Sequence, residues 1–310
     1  MTGAVRVPGS LRRFWAGLAP NVRGAFWILL GALSLVLMHT LSKSMGKRYD
    51  PLQMTFFRCA ISLAFVLPVA VSGGTRSLRT RHLKMHVVRA LFGLFGWLSA
   101  FYAVSRLPLA DFTTMSFTMP LFVTLLAVPV LRERGSWQRW LATLIGFVGV
   151  LFTARPGGDF QPATFVALAS AFFGACVLMV VKRTPISEGP STMLFYSNLI
   201  ISVLMLGPAL SVWRDPSLLD LLWLVLIGFF GIMSQVTYIF GMREGDASAL
   251  ASFDYVRLVY AGLIGFLLFA EIPDLWSLIG AACIIGSTFY IGRHESELAK
   301  KKASRAAAAG

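Results

Sequence analysis

Charged residues inside long apolar stretches are the strongest chemical signal in this 310-residue sequence. An ionised side chain at the centre of a bilayer costs at least ~2.5 kcal/mol, so it usually faces a partner or a wet cavity. Four residues meet this description, and we predict that they bind substrate: Arg58, Arg89, Asp254 and Arg257. Arg58 and Arg89 lie near the starts of their stretches, so extension to a lipid headgroup is the alternative role for both.

Asp254 and Arg257 are three residues apart, which places them on one face of a helix where they can neutralise each other. Two roles are open for Asp254 and Arg257: a structural ion pair, or a pair that binds ligand. If they cancel, the interior keeps positive charge from Arg58 and Arg89, which predicts a substrate with an anionic group. Asp254 is also the first candidate for proton coupling, and His39 is the second. A fixed hydrogen bond between helices is the alternative for His39.

Five aromatic residues lie deep in the apolar stretches. Aromatic faces with a few polar tips suit a pocket for a flat or amphipathic metabolite. We therefore add Trp97, Phe101, Tyr102, Tyr238 and Tyr255 to the predicted substrate-binding residues. Ordinary packing is the alternative for each of them.

Composition and motifs exclude several classes of protein. The chain is 56% hydrophobic and 14% charged, whereas soluble domains carry about 25% charged residues. Its net charge of +14 comes from short basic clusters between apolar stretches, a pattern that orients membrane proteins, so no nucleic-acid partner is expected. The sequence contains no nucleotide-binding, hydrolase or metalloprotease motif and no metal-site spacing of its three cysteines. We expect no enzymatic activity, no cofactor and no metal.

The elements that must position these residues are membrane-spanning helices. A span needs about 20 apolar residues. Ten stretches qualify, at 23–42, 52–72, 85–105, 108–131, 137–154, 162–182, 192–213, 218–242, 247–270 and 275–293. The predicted fold is therefore an all-α polytopic membrane protein.

The distribution of Lys and Arg orients these spans. With a cytoplasmic N-terminus, 19 Lys and Arg residues fall in cytoplasmic segments and 6 fall outside, while three lie within spans. Positive residues concentrate on the cytoplasmic side of membrane proteins. Both termini are predicted to be cytoplasmic, as residues 1–22 and as a basic tail of residues 294–310.

The sequence also contains an internal repeat. Residues 51–57 and 190–196 both begin with Pro and continue with a short polar and aromatic run, and the two segments are 139 residues apart. Glu133 and Glu271, which end the fourth and ninth spans, are 138 residues apart. Five spans per copy is an odd number, so the second copy must enter the membrane from the opposite side. Inverted repeats of this kind are a recurring design of secondary transporters.

The ten-span sequence resembles the EamA type of the drug/metabolite transporter superfamily. The resemblance rests on the Phe57–Arg58 pair, on Pro120 within the fourth span, and on Glu133 and Glu271. It implies two EamA repeats, at residues 23–155 and 161–293. Members of this group include exporters of amino acids and other metabolites, riboflavin carriers and S-adenosylmethionine carriers, and the first half looks closest to the last of these.

The expected function is secondary active transport of a small polar or amphipathic metabolite, such as an amino acid, across the bacterial inner membrane by alternating access. A cofactor or vitamin importer of the S-adenosylmethionine or riboflavin type is the alternative within this class. An intramembrane enzyme or a non-transporting membrane scaffold is the alternative from other classes. The expected partners are the small-molecule substrate and membrane lipid, and a homodimer stays open.

Overall fold

The structure is a computed structural model that describes residues 18–72, 80–131, 137–154, 161–184, 189–244 and 250–309. Glu133 and residues 1–17 of the predicted N-terminal segment lie outside these ranges. Every regular element within the described ranges is helical. The predicted all-α class is therefore confirmed for this part of the chain.

Eleven α-helices and one 3₁₀ segment follow one another along the described ranges. They are α1 Pro20–Met45, α2 Pro51–Ser72, α3 Leu83–Val104, α4 Leu109–Ser116, α5 Met119–Leu131, α6 Trp137–Ala154, α7 Ala163–Arg183, α8 Pro190–Ser211, α9 Leu218–Glu244, the 3₁₀ segment Ala251–Tyr255, α10 Val256–Phe269 and α11 Leu275–Ala309. Proline occupies the first residue of α1, α2 and α8, a position where its missing N–H leaves no hydrogen bond unmade.

Eight helical stretches are long and apolar enough to cross a membrane, by length and composition. One of them, Leu109–Val130, combines α4 and α5. The apolar part of α6 is shorter, at Trp140–Ala154, and α10 has 14 residues. The structure therefore shows a polytopic membrane protein, and the number of ten membrane spans remains a prediction.

The sequence predicted continuous helices for the fourth and ninth spans, but the structure interrupts both. The fourth span breaks at Phe117 and Thr118, between α4 and α5. Pro120 lies just after the break, and its ring lacks an N–H and would clash with the carbonyl of Ser116 in a regular helix. The ninth span changes from a 3₁₀ segment to an α-helix at Tyr255. The tenth span also differs, because α11 continues past the predicted boundary at residue 293.

The helices pair in a pattern that is unchanged when the two halves of the chain are exchanged. Helix α1 packs on α9, and α3 packs on α7 in the equivalent arrangement. Helices α2 and α8 are equivalent elements that pack on each other, as are α6 and α11, and α4 of the fourth span packs on α10 of the ninth span. The two copies of the sequence repeat therefore form one intertwined bundle.

The α6–α11 contact depends on two glycines. A Cβ atom added at Gly280 would lie 2.6 Å from the carbonyl oxygen of Gly149, and one added at Gly149 would lie 2.8 Å from that of Gly280. These distances leave no room for a side chain. Small residues permit this close approach of helices in a membrane.

We expect Gly280→Leu to destabilise the protein by about 1–3 kcal/mol, because α6 and α11 must separate to admit the side chain. The matched control is Gly286→Leu on the same helix, where nothing lies within 4 Å of an added Cβ. Thermal unfolding of the purified variants in detergent measures the effect. Equal unfolding temperatures for the two variants would contradict this packing.

Candidate functional site

The two interrupted spans meet at the centre of the bundle. Phe117, at the break between α4 and α5, has its ring centroid 5.2 Å from that of Tyr255, where the 3₁₀ segment gives way to α10. Thr288 on α11 donates a hydrogen bond to the carbonyl oxygen of Phe117 at 3.3 Å. Breaks in membrane helices free backbone carbonyls that must find a partner or line a cavity.

The predicted pair of Asp254 and Arg257 forms beside this junction. Arg257 Nη2 lies 2.6 Å from Asp254 Oδ2, and both side chains are less than a quarter exposed. The guanidinium of Arg257 also lies 4.6 Å from the centre of the Phe117 ring. Asp254 and Arg257 therefore form an ion pair, and Arg257 also packs on Phe117 at the break in the fourth span. A ligand-binding role for the pair remains a prediction.

His39 on α1 lies between the two groups of predicted charges. It is 7% exposed, and its ring packs edge-on against Phe112 with centroids 4.9 Å apart. It is within electrostatic reach of both Arg257 and Arg58. The structure therefore brings His39 to the site.

Arg58 is turned into the protein rather than toward a headgroup. It is 2% exposed, and its guanidinium stacks on Trp97 at 3.9 Å from the ring centre. Its Nη1 donates to Asn198 Oδ1 at 3.2 Å. Phe101, which is fully buried, packs against Trp97 with ring centroids 6.0 Å apart. Arg58, Trp97 and Phe101 thus form one cluster at the contact of α2, α3 and α8.

Arg89 joins α3 to α8. Its Nη1 donates to the carbonyl oxygen of Met193 at 2.6 Å and to the hydroxyl oxygen of Ser197. These bonds hold the guanidinium within the protein, so the headgroup alternative does not apply to Arg89 in this structure. A substrate-binding role for it remains a prediction.

Two predicted aromatic residues are more exposed than the others. Tyr102 is 37% exposed, and its ring is covered by the guanidinium of Arg106 at 3.7 Å. Tyr238 is 43% exposed and lies within electrostatic reach of Asp254 and Arg257. Tyr238 is therefore near the junction although its side chain is partly exposed. Tyr102 lies at the end of α3.

A second ionic cluster, which we call the Lys43 tie, consists of Lys43, Leu107, Leu109 and Glu271. Glu271 Oε1 lies 2.7 Å from Lys43 Nζ, and Glu271 Oε2 accepts the N–H of Leu109 at 2.8 Å. Lys43 also donates to the carbonyl oxygen of Leu107. The tie connects the ends of α1 and α10 with the start of α4.

Sequence reasoning noted Glu271 but treated Lys43 only as an extramembrane cation. The repeat held a usable signal, because Lys43 and Lys182 are also 139 residues apart. A lysine and a glutamate that both recur at the repeat shift suggest a shared role.

Another cluster that sequence reasoning missed lies at the same end of the bundle. Asp220, at the start of α9, accepts hydrogen bonds from Tyr49 Oη at 3.0 Å and Arg48 Nη1 at 3.1 Å. Burial and the hydrogen bond to Asp220 raise the pKa of Tyr49, so this phenol stays protonated at neutral pH. The cluster fixes the loop between α1 and α2 to the start of α9.

Two small cavities flank the start of α4. They have volumes of about 160 and 150 Å³ and share Asp111 in their linings. The first is also lined by Leu107, next to the Lys43 tie, and the second by Leu258 on α10. Within the described ranges, no group of three or more His, Cys, Asp and Glu side chains is placed to hold a metal ion.

Known proteins match nearly the whole chain. The EamA-like transporter family matches residues 22–155 and 161–293. The "S-adenosylmethionine uptake transporter" of Rickettsia bellii (strain RML369-C) is 33% identical over 280 residues, which cover 90% of this chain and 96% of the relative. The "Riboflavin transporter" of Vibrio cholerae serotype O1 is 31% identical over 294 residues, which cover 91% of this chain and 96% of the relative.

A solved structure titled "Crystal structure of protein" has a TM-score of 0.55 and 22% identity, and the match covers 84% of this chain and 94% of that one. This similarity supports the fold. The sequence relatives confirm the predicted family, the transporter class and the multi-pass membrane location, and their bacterial sources fit the inner membrane.

The Lys43 tie generates a prediction about access to the interior. We expect Glu271→Gln to speed the labelling of a cysteine introduced at Thr164, which lines the neighbouring cavity. The variant loses a partly buried, charged hydrogen bond that contributes ~1.5 kcal/mol. If labelling requires the end of the bundle at the Lys43 tie to open, this loss makes labelling about tenfold faster. A charged thiol reagent and purified protein lacking Cys59, Cys176 and Cys283 are used.

The matched control is Arg48→Met. It removes a salt bridge at the same end, but the Arg48 side chain is 67% exposed, so the pair contributes little. We expect its labelling rate to match that of the parent. Unchanged labelling in Glu271→Gln would show that the tie does not keep this end closed.

Proposed function

The chain belongs to the EamA-like transporter family, and on that basis we propose that it takes up a cofactor-like or vitamin-like metabolite across the bacterial inner membrane. Relatives named as carriers of S-adenosylmethionine and riboflavin support this class of substrate. The amino-acid substrate that sequence analysis placed first has no support among these relatives. They are named as transporters, and the chain is accordingly a transporter rather than an enzyme.

The proposed topology has ten spans in two inverted repeats, residues 23–155 and 161–293, with both termini in the cytoplasm. The exchange of helix pairs between the two halves supports the repeats. Length supports the ninth span, because 14 α-helical and five 3₁₀ residues extend together for about 31 Å, close to the thickness of the hydrocarbon core. The excess of Lys and Arg on one side supports the orientation of the termini.

The observation that carries the proposal is the meeting of Phe117 and Tyr255 where two interrupted spans face each other. Secondary transporters with inverted repeats place substrate near the membrane midplane, between discontinuous helices from the two halves. In this chain the fourth span of each repeat forms one side of the junction. We propose that substrate binds at this junction, between the charges of Asp254 and Arg257 and the cluster of Arg58 and Trp97.

Alternating access follows from the same arrangement. In the proposed topology the Lys43 tie lies on the outer side, so this structure represents a state that is closed to the outside. The tie joins α1 and α4 from the first half to the end of α10 from the second. Breaking it would allow the two halves to separate there and admit substrate from the outside.

The experiment that tests the function is counterflow in liposomes containing the purified protein. We expect saturable uptake of labelled S-adenosylmethionine or riboflavin into vesicles preloaded with the unlabelled compound, and no such uptake of amino acids. Vesicles without protein give the background. Chemical turnover without transport, or no uptake of either compound, would overturn the proposal.

The proposed site gives a matched pair of variants. We expect Tyr255→Ala to reduce uptake about tenfold, as the loss of a buried aromatic contact of ~1.5 kcal/mol implies. Tyr290→Ala on α11 is the control, because Tyr290 is 47% exposed and stacks on His294 rather than on Phe117 or Tyr255. Equal effects of the two variants would place the substrate elsewhere.

Proton coupling yields a separate prediction. If Asp254 carries the coupled proton, Asp254→Asn abolishes accumulation driven by an inward proton gradient while measurable counterflow remains, since exchange needs no net proton movement. If His39 carries it, His39→Gln has that effect instead. Uptake with and without the gradient distinguishes them, and gradient-driven accumulation in both variants would exclude both residues.

A further inference from the structure

The guanidinium of Arg58 has one edge that the described residues leave unpaired. Its Nη1 is bonded to Asn198 Oδ1 at 3.2 Å and lies 3.6 Å from the sulfur of Cys59. Its Nε and Nη2 are buried and have no hydrogen-bond partner within the described part of the chain. We propose that this edge binds a carboxylate of the transported metabolite. The inference rests on the proposed function and adds a chemical class of substrate to it.

The geometry of the open edge fits a carboxylate. The N–H groups of Nε and Nη2 lie side by side in the guanidinium plane and point in the same direction, so they bind both oxygens of one carboxylate at once. A buried donor without a partner is unfavourable. A ligand that satisfies both donors and neutralises the charge removes this cost.

The surroundings hold the edge in place and keep it free. Trp97 covers one face of the guanidinium at 3.9 Å, and Asn198 fixes the opposite nitrogen. A Cβ added at Gly231 would lie 3.1 Å from Nε and 3.1 Å from the sulfur of Met38. A residue with a side chain at position 231 would therefore crowd the edge.

The other intramembrane arginines are placed differently. Arg257 is neutralised by Asp254. Arg89 differs in that only its Nε is a buried donor without a partner, whereas Arg58 has two, and Nη1 of Arg89 is bonded to Met193 and Ser197. Among the salt bridges of the described residues, none involves Arg58. Its charge is thus available to a ligand.

One guanidinium matches the single charge of a carboxylate. A phosphate would bring close to two negative charges into the same buried space and leave one unpaired. S-adenosylmethionine carries an α-carboxylate, whereas riboflavin carries none. The inference therefore favours a metabolite with an amino-acid end over a neutral flavin.

The test compares uptake of S-adenosylmethionine, its decarboxylated analogue and riboflavin by protein in liposomes. We expect the carboxylate to favour S-adenosylmethionine over the decarboxylated analogue by about 10- to 100-fold, as one or two charge-assisted hydrogen bonds contribute. Arg58→Gln should remove this preference, so that the ratio of uptake of S-adenosylmethionine to uptake of the analogue falls to about one. Arg58→Lys should restore it in part, because an ammonium keeps the charge but lacks the planar fork.

A second variant keeps the test decisive if Arg58→Gln fails to fold. Gly231→Ala leaves the charge in place and crowds the open edge, so we expect it to lower the preference for the carboxylate. Gly207→Ala on α8 is the control, since nothing lies within 4 Å of an added Cβ there. Thermal unfolding verifies that each variant is folded.

The outcomes separate this inference from the proposed function. Uptake of riboflavin or of the decarboxylated analogue that equals uptake of S-adenosylmethionine, and is unchanged in Arg58→Gln and Gly231→Ala, would overturn the carboxylate role and leave the transporter proposal intact. Absence of uptake of all three compounds by folded protein would overturn both.

Discussion

A hydrocarbon interior offers no water to polar groups, and this constraint explains most of the structure. Each charge or broken helix inside the bundle must find its partner in the protein. The partners here frequently come from the other half of the chain: Arg58 bonds Asn198, Arg89 bonds Ser197, and the break at Phe117 lies against Tyr255. The same polar groups that would be costly alone therefore hold the two repeats together.

This arrangement links stability to transport. Contacts between the halves include packed glycines that cannot separate without cost, as at Gly149 and Gly280, and ionic contacts that can break and form again, as at Lys43 and Glu271. A carrier needs both kinds, because the halves must remain assembled while one end opens. The buried Nε and Nη2 of Arg58 have no partner among the described residues, and we propose that a ligand supplies one.

Much of the fold was predictable from the sequence, since apolar length and the repeat require only composition and spacing. The breaks in the fourth and ninth spans were not predictable, although Pro120 is visible in the sequence. Whether a proline kinks a helix or divides it depends on which group bonds the carbonyl that the proline frees. Among the site residues, the Asp254 and Arg257 pair followed from a spacing of three residues, although Asp254 lies in the 3₁₀ segment and Arg257 in α10 rather than on one helix. Asn198, which bonds Arg58, and Glu271, which pairs with Lys43, each lie more than 100 residues away along the chain, and only the folded structure brings them together.

The central claim is that substrate binds where the two interrupted spans meet and that this junction opens to each side in turn. The most direct measurement is labelling of a single cysteine at Tyr255, in vesicles of both orientations, with a thiol reagent that does not cross membranes. The account predicts labelling from either side and protection by transported substrate in both cases. Labelling from one side only, or labelling that substrate does not slow, would contradict it.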